Sequence, residues 1–398
     1  MRFIFYLCLA VLVYVYIGYP LILLAISVWD KWRKRPSSEV PAEPETWPSV
    51  SILVPAYNEE CVILEKLRNF LALDYPADRL ELIIGSDGST DGTVGLVEEF
   101  GHPRIRLVRF PIRSGKTSVL NQLVPAATGD IIVFSDANTM YEPRAVRELA
   151  RPFTDPKVGG VCGRLILRAA SYETISESKY WQFEQYLKRI EGQRGSVLGG
   201  TGGIYAIRRE IYRQIPPTTI VDDFVIGLGV LQQNYRMVFA NEARASEVTA
   251  RNLRSEFERR ARIGAGDFQA LTWTLDLLLP SRGFVAFSYL SHKVLRWFMP
   301  FSCIGLTVSA FSLIHQPFYL WVSLGIVMVA VMAWIGWLLN KHEHALSVPF
   351  RVPYYFILMN AALLTGAIRY VRKSQPAAWQ RTERIPTPTA AQTIPRQE

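Results

Sequence analysis

Long apolar stretches occupy both ends of this chain, and a region of short alternating patterns lies between them. Residues 3–28 form an apolar run that, as a helix, is long enough to cross the roughly 30 Å hydrocarbon core of a membrane. Toward the carboxyl end, residues 299–315 and 317–339 are two further apolar spans, and residues 352–368 form a shorter one. The pattern predicts a membrane-anchored protein whose middle portion lies outside the bilayer.

Short apolar strands alternate with helical segments in the region that begins at Val50. SILVPAY, LELIIGSD, IRLVRF and DIIVFSD have the composition of strands, and residues 59–71, 92–100 and 117–124 have the spacing of helices. Strands that alternate with helices at this spacing are typical of βαβ units. We therefore predict the α/β fold class, with a mostly parallel sheet.

Two longer helices are predicted beyond this region. Residues 172–191 carry aromatic side chains that we interpret as packing residues rather than ligand contacts. Residues 251–279 interleave apolar side chains with arginines, a pattern typical of an amphipathic helix at a membrane interface, and residues 283–298 continue it. The predicted segments are an anchor (1–30), a linker (31–48), an α/β domain (49–250), interfacial helices (251–298), membrane helices (299–371) and a basic tail (372–398).

The distribution of basic residues indicates which partners the protein binds. The net charge of +9 would suit a nucleic-acid-binding protein, but basic residues crowd beside the apolar spans, as in KWRKR after the first and RYVRK after the last. Such flanking clusters set membrane topology and contact anionic headgroups. We therefore expect membrane lipids and no nucleic acid as partners, with the carboxyl end of the first span in the cytosol.

The side on which the chain ends stays open. An outside amino terminus followed by four crossings puts the carboxyl terminus outside, whereas RYVRKS favours the inside. The four cysteines are spaced neither for a metal site nor for a redox pair. They imply no disulfide framework, which fits a domain in the reducing cytosol.

Three acidic motifs follow apolar strands in the central region. Asp87 stands in IIGSDGSTDGT, Asp136 in IIVFSDANT, and the pair Asp222–Asp223 in TTIVDDFVI. The carboxyl ends of parallel strands point into the crevice where open α/β sheets bind ligands. Carboxylates there suit a transferase that acts on a nucleotide sugar, which must read a base, hold a metal on the diphosphate and take up a proton.

The turn after the first strand has two interpretations. In VPAYNEE, Pro55, Ala56, Tyr57 and Glu59 can sandwich a uracil and accept its ring N–H. The alternative is a helix start, with Asn58 as the N-cap and acids in the first turn. The residues alone do not separate the two.

The next two turns also have plain alternatives. Asp87 is the ligand candidate of SDGSTDGT, while Asp91 and Thr93 have the pattern of a helix cap. RSGKTSVLN is not a P-loop, because Phe110 stands where that loop needs its first glycine. Lys116 can still reach a diphosphate as a point charge, or it lies in a solvated basic turn.

Oxygen ligands and a base complete the candidate chemistry. Mg²⁺ or Mn²⁺ on a nucleotide diphosphate takes one or two protein oxygens, which Asp136 and Asn138 can supply, and neutralises charge on the departing group. The Asp222–Asp223 pair is either a helix cap or the source of a general base for an acceptor hydroxyl. One base without a covalent intermediate gives inversion at the anomeric carbon.

These residues, in this order, resemble the family 2 glycosyltransferases of GT-A fold, which have a Rossmann-like sheet. The closest resemblance is to the membrane-integrated branch that contains cellulose, hyaluronan and chitin-oligosaccharide synthases, and it covers the chain from about Val50 onward. It implies that Ala56, Tyr57, Glu59 and Asp87 hold the nucleobase and ribose. It also implies a bacterial inner membrane with the catalytic domain in the cytosol.

The same resemblance assigns the rest of the site. Asp136 and Asn138 fall on the Asp-x-Asp metal motif of the family. Gly202 and Gly203 fall in its glycine loop on the acceptor side. Asp223 falls on the catalytic base.

Four positions depart from the family pattern. Asn138 replaces the second metal aspartate, which removes one negative charge but keeps an oxygen ligand, and Asp222 for Glu keeps the chemistry. Arg259 and Ile263 replace the Gln and Trp of the Gln-x-x-Arg-Trp motif that helps seat the acceptor in processive synthases, while Arg262 keeps its Arg. These two changes weigh against synthesis of long chains.

We therefore expect an inverting transferase that moves a sugar from a nucleotide-diphosphate donor, expected to be UDP-linked, to a glycan or lipid-linked acceptor at the cytosolic membrane face. The process would be cell-surface or exopolysaccharide synthesis, with Asp223 as base, Mg²⁺ or Mn²⁺ at Asp136, and Arg262 aiding diphosphate or acceptor. Two alternatives remain: a polyprenyl-phosphate glycosyltransferase, and an inactive nucleotide-sugar-binding membrane scaffold. Whether an export or assembly partner completes the path is open.

Overall fold

The structure is a computed structural model that describes residues 1–33, 43–168, 175–195, 197–248, 253–341 and 348–376. Half of the predicted linker and most of the basic tail therefore lie outside the described residues. The first helical stretch comprises α1 (Arg2–Val13), a π-helical turn (Tyr14–Gly18) and α2 (Tyr19–Trp32). It is continuous over 31 residues, and an 18-residue window within it has a mean hydropathy of 2.4, so it is long and apolar enough to cross a membrane, as the sequence predicts.

The central sheet of the described residues has eight strands in the order β3-β2-β1-β4-β7-β6-β8-β5. Strands β1 to β4 pair in parallel, as predicted, and β6 pairs in parallel with β8. Strand β7 runs antiparallel to both β4 and β6, and β5 runs antiparallel to β8, so the sheet is mixed. The strands are β1 (Val50–Ala56), β2 (Leu80–Asp87), β3 (Ile105–Phe110), β4 (Ile131–Phe134), β5 (Met140–Tyr141), β6 (Val158–Arg168), β7 (Tyr205–Arg208) and β8 (Arg236–Val248).

Helices cover both faces of this sheet. Alternate side chains of a strand point to opposite faces, so Leu53 packs into one apolar cluster while Ile52 packs into the other. Helix α3 buries Ile63, Leu67 and Phe70, the stripe that its sequence predicts. The helices are α3 (Ile63–Leu71), α4 (Thr93–Phe100), α5 (Lys116–Ala126), α6 (Ala145–Ala150), α7 (Ile175–Gln193) and α8 (Asp222–Gln232).

The predicted interfacial helix is shorter than expected. Helix α9 ends at Trp273 rather than at residue 279, because Thr274 leaves helical geometry and a 3₁₀ turn, Leu275–Leu278, follows. Beyond it, residues 284–297 form one irregular helix. The remaining helices are α9 (Leu253–Trp273), α10 (Phe284–Ser288), α11 (Leu295–Trp297), α12 (Met299–Ser312), α13 (Pro317–Lys341) and α14 (Val348–Val371).

The number of membrane crossings depends on one bend. Among the described residues, three helices are long and apolar enough to cross, namely residues 2–32, 317–339 and 349–371. The helical residues 284–297 and α12 meet at 58° and would add a fourth span if they cross as one. The predicted span at 299–315 is therefore a short helix bent against its predecessor.

The helices predicted to be interfacial share a core with the α/β domain. The ring centroids of Phe224 in α8 and Trp297 in α11 lie 5.8 Å apart, and those of Phe268 in α9 and Trp297 lie 6.5 Å apart. These aromatic side chains belong to the same buried cluster as Leu53 of β1. Helix α9 and the irregular helix at 284–297 thus pack against the α/β domain.

Candidate active site

Acidic residues from separate segments meet at the carboxyl edge of the parallel strands. Asp87 is the last residue of β2, Asp136 follows β4 by two residues, and Asp222 opens α8. Glu59 follows β1 by three residues and is buried. This edge is where open α/β sheets bind ligands, so the fold brings the predicted residues to one edge of the sheet.

Asp87 organises the loop in front of α5. Its Oδ1 accepts the backbone N–H of Ser114 at 2.6 Å, and its Oδ2 accepts that of Gly115 at 2.8 Å. Gly115 has φ 91°, which favours glycine, and Lys116 begins the helix immediately after it. The carboxylate thereby positions Lys116, and the predicted role of Asp87 in holding ribose stays a prediction.

The turn after β1 is held by the turn after β2. Asn58 has φ 55° and its Oδ1 accepts the backbone N–H of Thr90 at 2.8 Å. The backbone N–H of Glu59 donates to Thr93 Oγ1 at 2.8 Å. The alternative in which Asn58 is an N-cap is wrong, because α3 begins only at Ile63.

The other predictions for the turns after β1 and β2 have separate outcomes. The helix-cap interpretation of Asp91 is confirmed, since its Oδ1 accepts the backbone N–H of Thr93 at 3.0 Å. Pro55 and Ala56 are buried at the end of β1. The Arg113 guanidinium lies over the Tyr57 ring at 3.9 Å, so this aromatic side chain is placed to stack on a planar group.

Lys116 lies between two of the acidic motifs. Its Nζ donates to Asp136 Oδ1 at 2.9 Å and lies 3.2 Å from Asp222 Oδ2, an oxygen buried without a hydrogen bond. Burial lowers the pKa of Lys116, but the nearby aspartates, with Asp136 the strongest, raise the pKa above its ordinary value. Lys116 therefore stays charged and is not in a solvated turn.

Asp223 has the titration behaviour of a base. Burial and then the charge of Asp222 raise the pKa of Asp223 to about 6, against the lowering effect of Lys116. A base works best when its pKa lies near the operating pH. Asp223 is half-buried, and it lies beside Gly202.

The glycine loop lies against these carboxylates. A Cβ on Gly202 would stand 3.3 Å from Asp223 Oδ2 and 3.7 Å from Asp136 Oδ2. A Cβ on Gly203 would stand 2.5 Å from Thr139 Oγ1. Glycine here keeps the space beside the candidate base clear, and acceptor binding by this loop stays a prediction.

The oxygen donors fit a hard divalent cation bound together with a nucleotide. No group of three or more His, Cys, Asp and Glu side chains in the described ranges is arranged to hold a metal unaided. Mg²⁺ on a nucleotide needs only one or two protein carboxylates, because phosphate oxygens and water complete its shell. Asp136 can supply one such oxygen, and Asn138 donates its Nδ2 to Glu247 Oε1 at 3.0 Å, which leaves its Oδ1 for a ligand role.

The two arginines of α9 differ in position. Arg262 is half-buried, and its Nη1 donates to the carbonyl of Ile220 at 3.3 Å, just before α8. Burial lowers the pKa of Arg262, and the charges of Asp222 and then Asp223 oppose this. Arg259 pairs with Glu256 on its own helix at 2.8 Å and is more exposed. Its predicted role in acceptor binding stays a prediction.

Sequence reasoning missed Lys66, which lies beneath the metal-candidate loop. Its buried Nζ donates to Ser135 Oγ at 2.7 Å and to the carbonyl of Thr139 at 2.5 Å. Burial lowers the pKa of Lys66 to about 7, while the charge of Asp136 opposes the shift. A lysine within the apolar stripe of a predicted helix was the available signal, because such a position forces the side chain inward.

Comparison with known proteins agrees with this geometry. The model of the family described as glycosyl transferase family 2 matches residues 51–215. The probable glycosyltransferase YdaM of Bacillus subtilis is 31% identical over 211 residues, which cover 48% of this chain and 49% of that protein. An N-acetylglucosaminyltransferase of Mesorhizobium japonicum is 25% identical over 261 residues, 61% of each chain. The chain thus spans between about half and three fifths of the length of these relatives.

A solved structure extends the similarity to the fold. The mannosyltransferase PcManGT of Pyrobaculum calidifontis, solved with GDP-mannose and Mn²⁺, superimposes with a TM-score of 0.70 over 93% of this chain and 99% of that one, at 22% identity. The matched family region runs from β1 to beyond β7 and includes the strand ends that carry Asp87 and Asp136. Residues 51–215 are thus similar to the family described as glycosyl transferase family 2, and the fold of the chain is that of the mannosyltransferase structure.

Proposed function

We propose that this protein is an inverting glycosyltransferase. It moves a sugar from a nucleotide-diphosphate donor, with UDP the expected nucleotide, to a glycan or lipid-linked acceptor at the cytosolic face of a bacterial inner membrane. The observation that carries the proposal is the arrangement of Asp223, with a pKa of about 6, beside Gly202 and the Lys116–Asp136 pair. The candidate base Asp223 and the cationic side chain of Lys116 therefore lie in the same site, one to take up a proton and the other to stabilise negative charge.

The proposed reaction is a single displacement. Asp223 takes the proton of an acceptor hydroxyl as its oxygen bonds to the anomeric carbon. The bond from that carbon to the diphosphate breaks on the opposite face, which inverts the configuration. Lys116 stabilises negative charge on the departing diphosphate. A divalent cation held through Asp136 and Asn138 would supply further Lewis-acid stabilisation of the same group.

The position of α9 supports an acceptor that arrives from the membrane. This helix carries Arg262 at the site and packs along the candidate membrane helix α14, where Arg369 pairs with Glu258 at 2.8 Å. An acceptor linked to a lipid would reach the crevice along this side. The same observation supports the second candidate, transfer to a polyprenyl phosphate, whose already ionised oxygen needs no general base.

Nucleotide release by the purified protein in lipid vesicles tests the proposal. UDP-, GDP- and TDP-sugars would be supplied with Mg²⁺ or Mn²⁺ and an acceptor-containing membrane extract, and products separated by size and by organic extraction. Donor-dependent release with a new glycan or lipid product is expected. Binding of every nucleotide without release would overturn the proposal in favour of a nucleotide-sugar-binding scaffold.

Asp223→Asn separates the two acceptors. Transfer to a hydroxyl should fall about 10²- to 10⁴-fold with nucleotide binding retained, because the base supplies an effect of that size. Asp78→Asn, which removes an exposed carboxylate distant from the site, is the matched control and should keep full activity. Unchanged turnover in Asp223→Asn would remove this residue from the mechanism and favour a phosphate acceptor.

A further inference from the structure

The second position of the metal-candidate motif carries an amide, and a carboxylate from another strand lies against it. Asn138 Nδ2 donates to Glu247 Oε1 at 3.0 Å, and the two residues are 109 positions apart in the sequence. Glu247 is the second-last residue of β8. A neutral side chain at position 138 therefore has a negative charge one hydrogen bond away.

The fold holds this contact in place. Strand β5 pairs antiparallel with β8, with Met140 opposite Ser246 and Tyr141 opposite Ala245. Continuing that register brings the residues just before β5 alongside the end of β8, which is where Asn138 and Glu247 meet. The short strand β5 thus positions the turn that carries Asp136 and Asn138 against the carboxylate.

The hydrogen bond has two chemical consequences for Asn138. It orients the amide, because a carboxylate accepts only from the nitrogen, and this directs Oδ1 away from Glu247. Donation to a charged acceptor also polarises the carboxamide and makes its oxygen a stronger ligand for a hard cation. Both effects prepare Oδ1 for the role that an aspartate oxygen has at this position in the family.

We propose that Glu247 is a positioning residue of the cation site: it orients the Asn138 carboxamide and supplies the negative charge that the change from Asp to Asn removes. The inference rests on the proposed function, because it concerns the site that binds the donor diphosphate. It extends that function by giving a role to Glu247, which lies on β8 and not at the end of one of the parallel strands β1 to β4. Glu247 acts through Asn138 and is not itself a catalytic residue.

The test measures binding of Mn²⁺ to the full-length protein in detergent by electron paramagnetic resonance, with UDP or GDP present and no acceptor. Glu247→Gln keeps the size and an accepting oxygen but removes the charge. We expect its dissociation constant for Mn²⁺ to rise about 10- to 100-fold, the usual effect of changing a partner of a metal ligand. Glu242→Gln, on the same strand but exposed and paired with Arg244, is the matched control and should bind as the wild type does.

A charge exchange separates this role from a merely structural one. In the double variant Asn138→Asp with Glu247→Gln, the carboxylate moves to position 138 and the amide to position 247, so the hydrogen bond is kept in reverse. Mn²⁺ affinity should recover most of the loss. Wild-type affinity in Glu247→Gln, or no recovery in the double variant, would overturn the inference.

Two further outcomes separate this inference from the proposed function. If the wild type fails to bind Mn²⁺ both with UDP and with GDP present, the cation site itself is wrong and the inference falls with it. If the wild type binds Mn²⁺ with nucleotide, and the variants behave as expected while no sugar is transferred to any acceptor, the inference stands and the proposed activity is overturned. A lower melting temperature of Glu247→Gln with unchanged Mn²⁺ affinity would make the contact purely structural and overturn the inference.

Discussion

At the scale of single residues, the protonation of Asp223 depends on a balance of neighbouring charges. Burial and Asp222 both raise its pKa, and Lys116 lowers it, with a result of about 6. Lys116 is shared, since its Nζ also bonds Asp136. One lysine therefore affects both the candidate base and the residue proposed to hold the diphosphate cation.

The pH dependence of transfer should follow Asp223. As a base it acts only when deprotonated, so kcat/KM should rise with pH through about 6 and then level off. Initial rates of nucleotide release over the weakly acidic and neutral range measure this. A profile that is flat across that range would show that no group with this pKa takes up the proton.

Replacing Lys116 should shift the rising limb of the pH profile of kcat/KM. Lys116→Met removes the cation that lowers the pKa of Asp223, so the rise in kcat/KM should shift to higher pH. Lys157→Met changes a lysine outside the candidate site and should leave the limb in place. An unshifted limb in Lys116→Met would mean that the charge of Lys116 does not reach the base.

At the scale of elements, α9 and α14 cross at unusually close range. A Cβ on Gly366 of α14 would stand 2.5 Å from the carbonyl oxygen of Ala261 and 2.7 Å from the nitrogen of Ala265, both in the backbone of α9. Small residues allow helix backbones to approach in this way. The crossing holds the helix that carries Arg262 against a candidate membrane span.

A methyl group should disturb this crossing. Gly366→Ala forces α9 and α14 apart and should destabilise the protein by about 1–3 kcal/mol, the usual cost of overpacking. Thermal unfolding in detergent measures the loss. Gly325→Ala, in α13 with open space around its Cβ position, is the control and should unfold as the wild type does. Equal melting temperatures for both variants would contradict the close crossing.

Helices and strands were predicted correctly where they depend on the spacing of apolar residues within a short stretch of chain. The strands that end near Asp87 and Asp136 and the stripe of α3 follow from spacings within a few residues. The antiparallel strand β7 was not predicted, because its partners β4 and β6 are distant in the sequence and its four residues follow almost directly after the glycine loop. The early end of α9 depends on how Thr274 packs in the tertiary structure. The periodicity of the sequence carries no information about that packing.

At the scale of the whole molecule, a buried charged cluster ties three segments together. His292 bonds Glu191 at 2.6 Å and lies 3.1 Å from Glu184, which also pairs with Lys293 at 3.0 Å. The hydroxyl of Tyr19 in α2 donates to Glu191 at 2.6 Å. The cluster therefore joins the first candidate membrane helix, α7 and the irregular helix at 284–297.

Removal of one carboxylate from this cluster should be costly. Glu184→Gln removes the buried carboxylate that pairs with both Lys293 and Arg296 and should destabilise the protein by about 3–5 kcal/mol. Chemical unfolding in detergent measures the change. Glu43→Gln breaks an exposed pair with Arg144 and should cost at most about 1 kcal/mol. A comparable effect of both variants would contradict a cooperative cluster.

The side of the membrane on which the α/β domain lies can be read from a cysteine. Cys61 is exposed on that domain, whereas Cys162 is buried and Cys8 and Cys303 lie in apolar helices. A membrane-impermeant maleimide should label Cys61 in inside-out vesicles but not in sealed right-side-out ones. Cys61→Ser should lose the label. Labelling from the outer face would place the domain outside the cytosol.

The sequence by itself determined the apolar spans, the α/β class and the carboxylates at strand ends, because each depends on spacing along a short stretch of chain. Only the tertiary structure decided that Lys116 bridges Asp136 and Asp222, and that Glu247 bonds Asn138 across 109 positions. The physical reason is that charge pairs and pKa shifts depend on distance and burial. Those are set by which strands and helices pack together, and that packing joins segments distant in sequence.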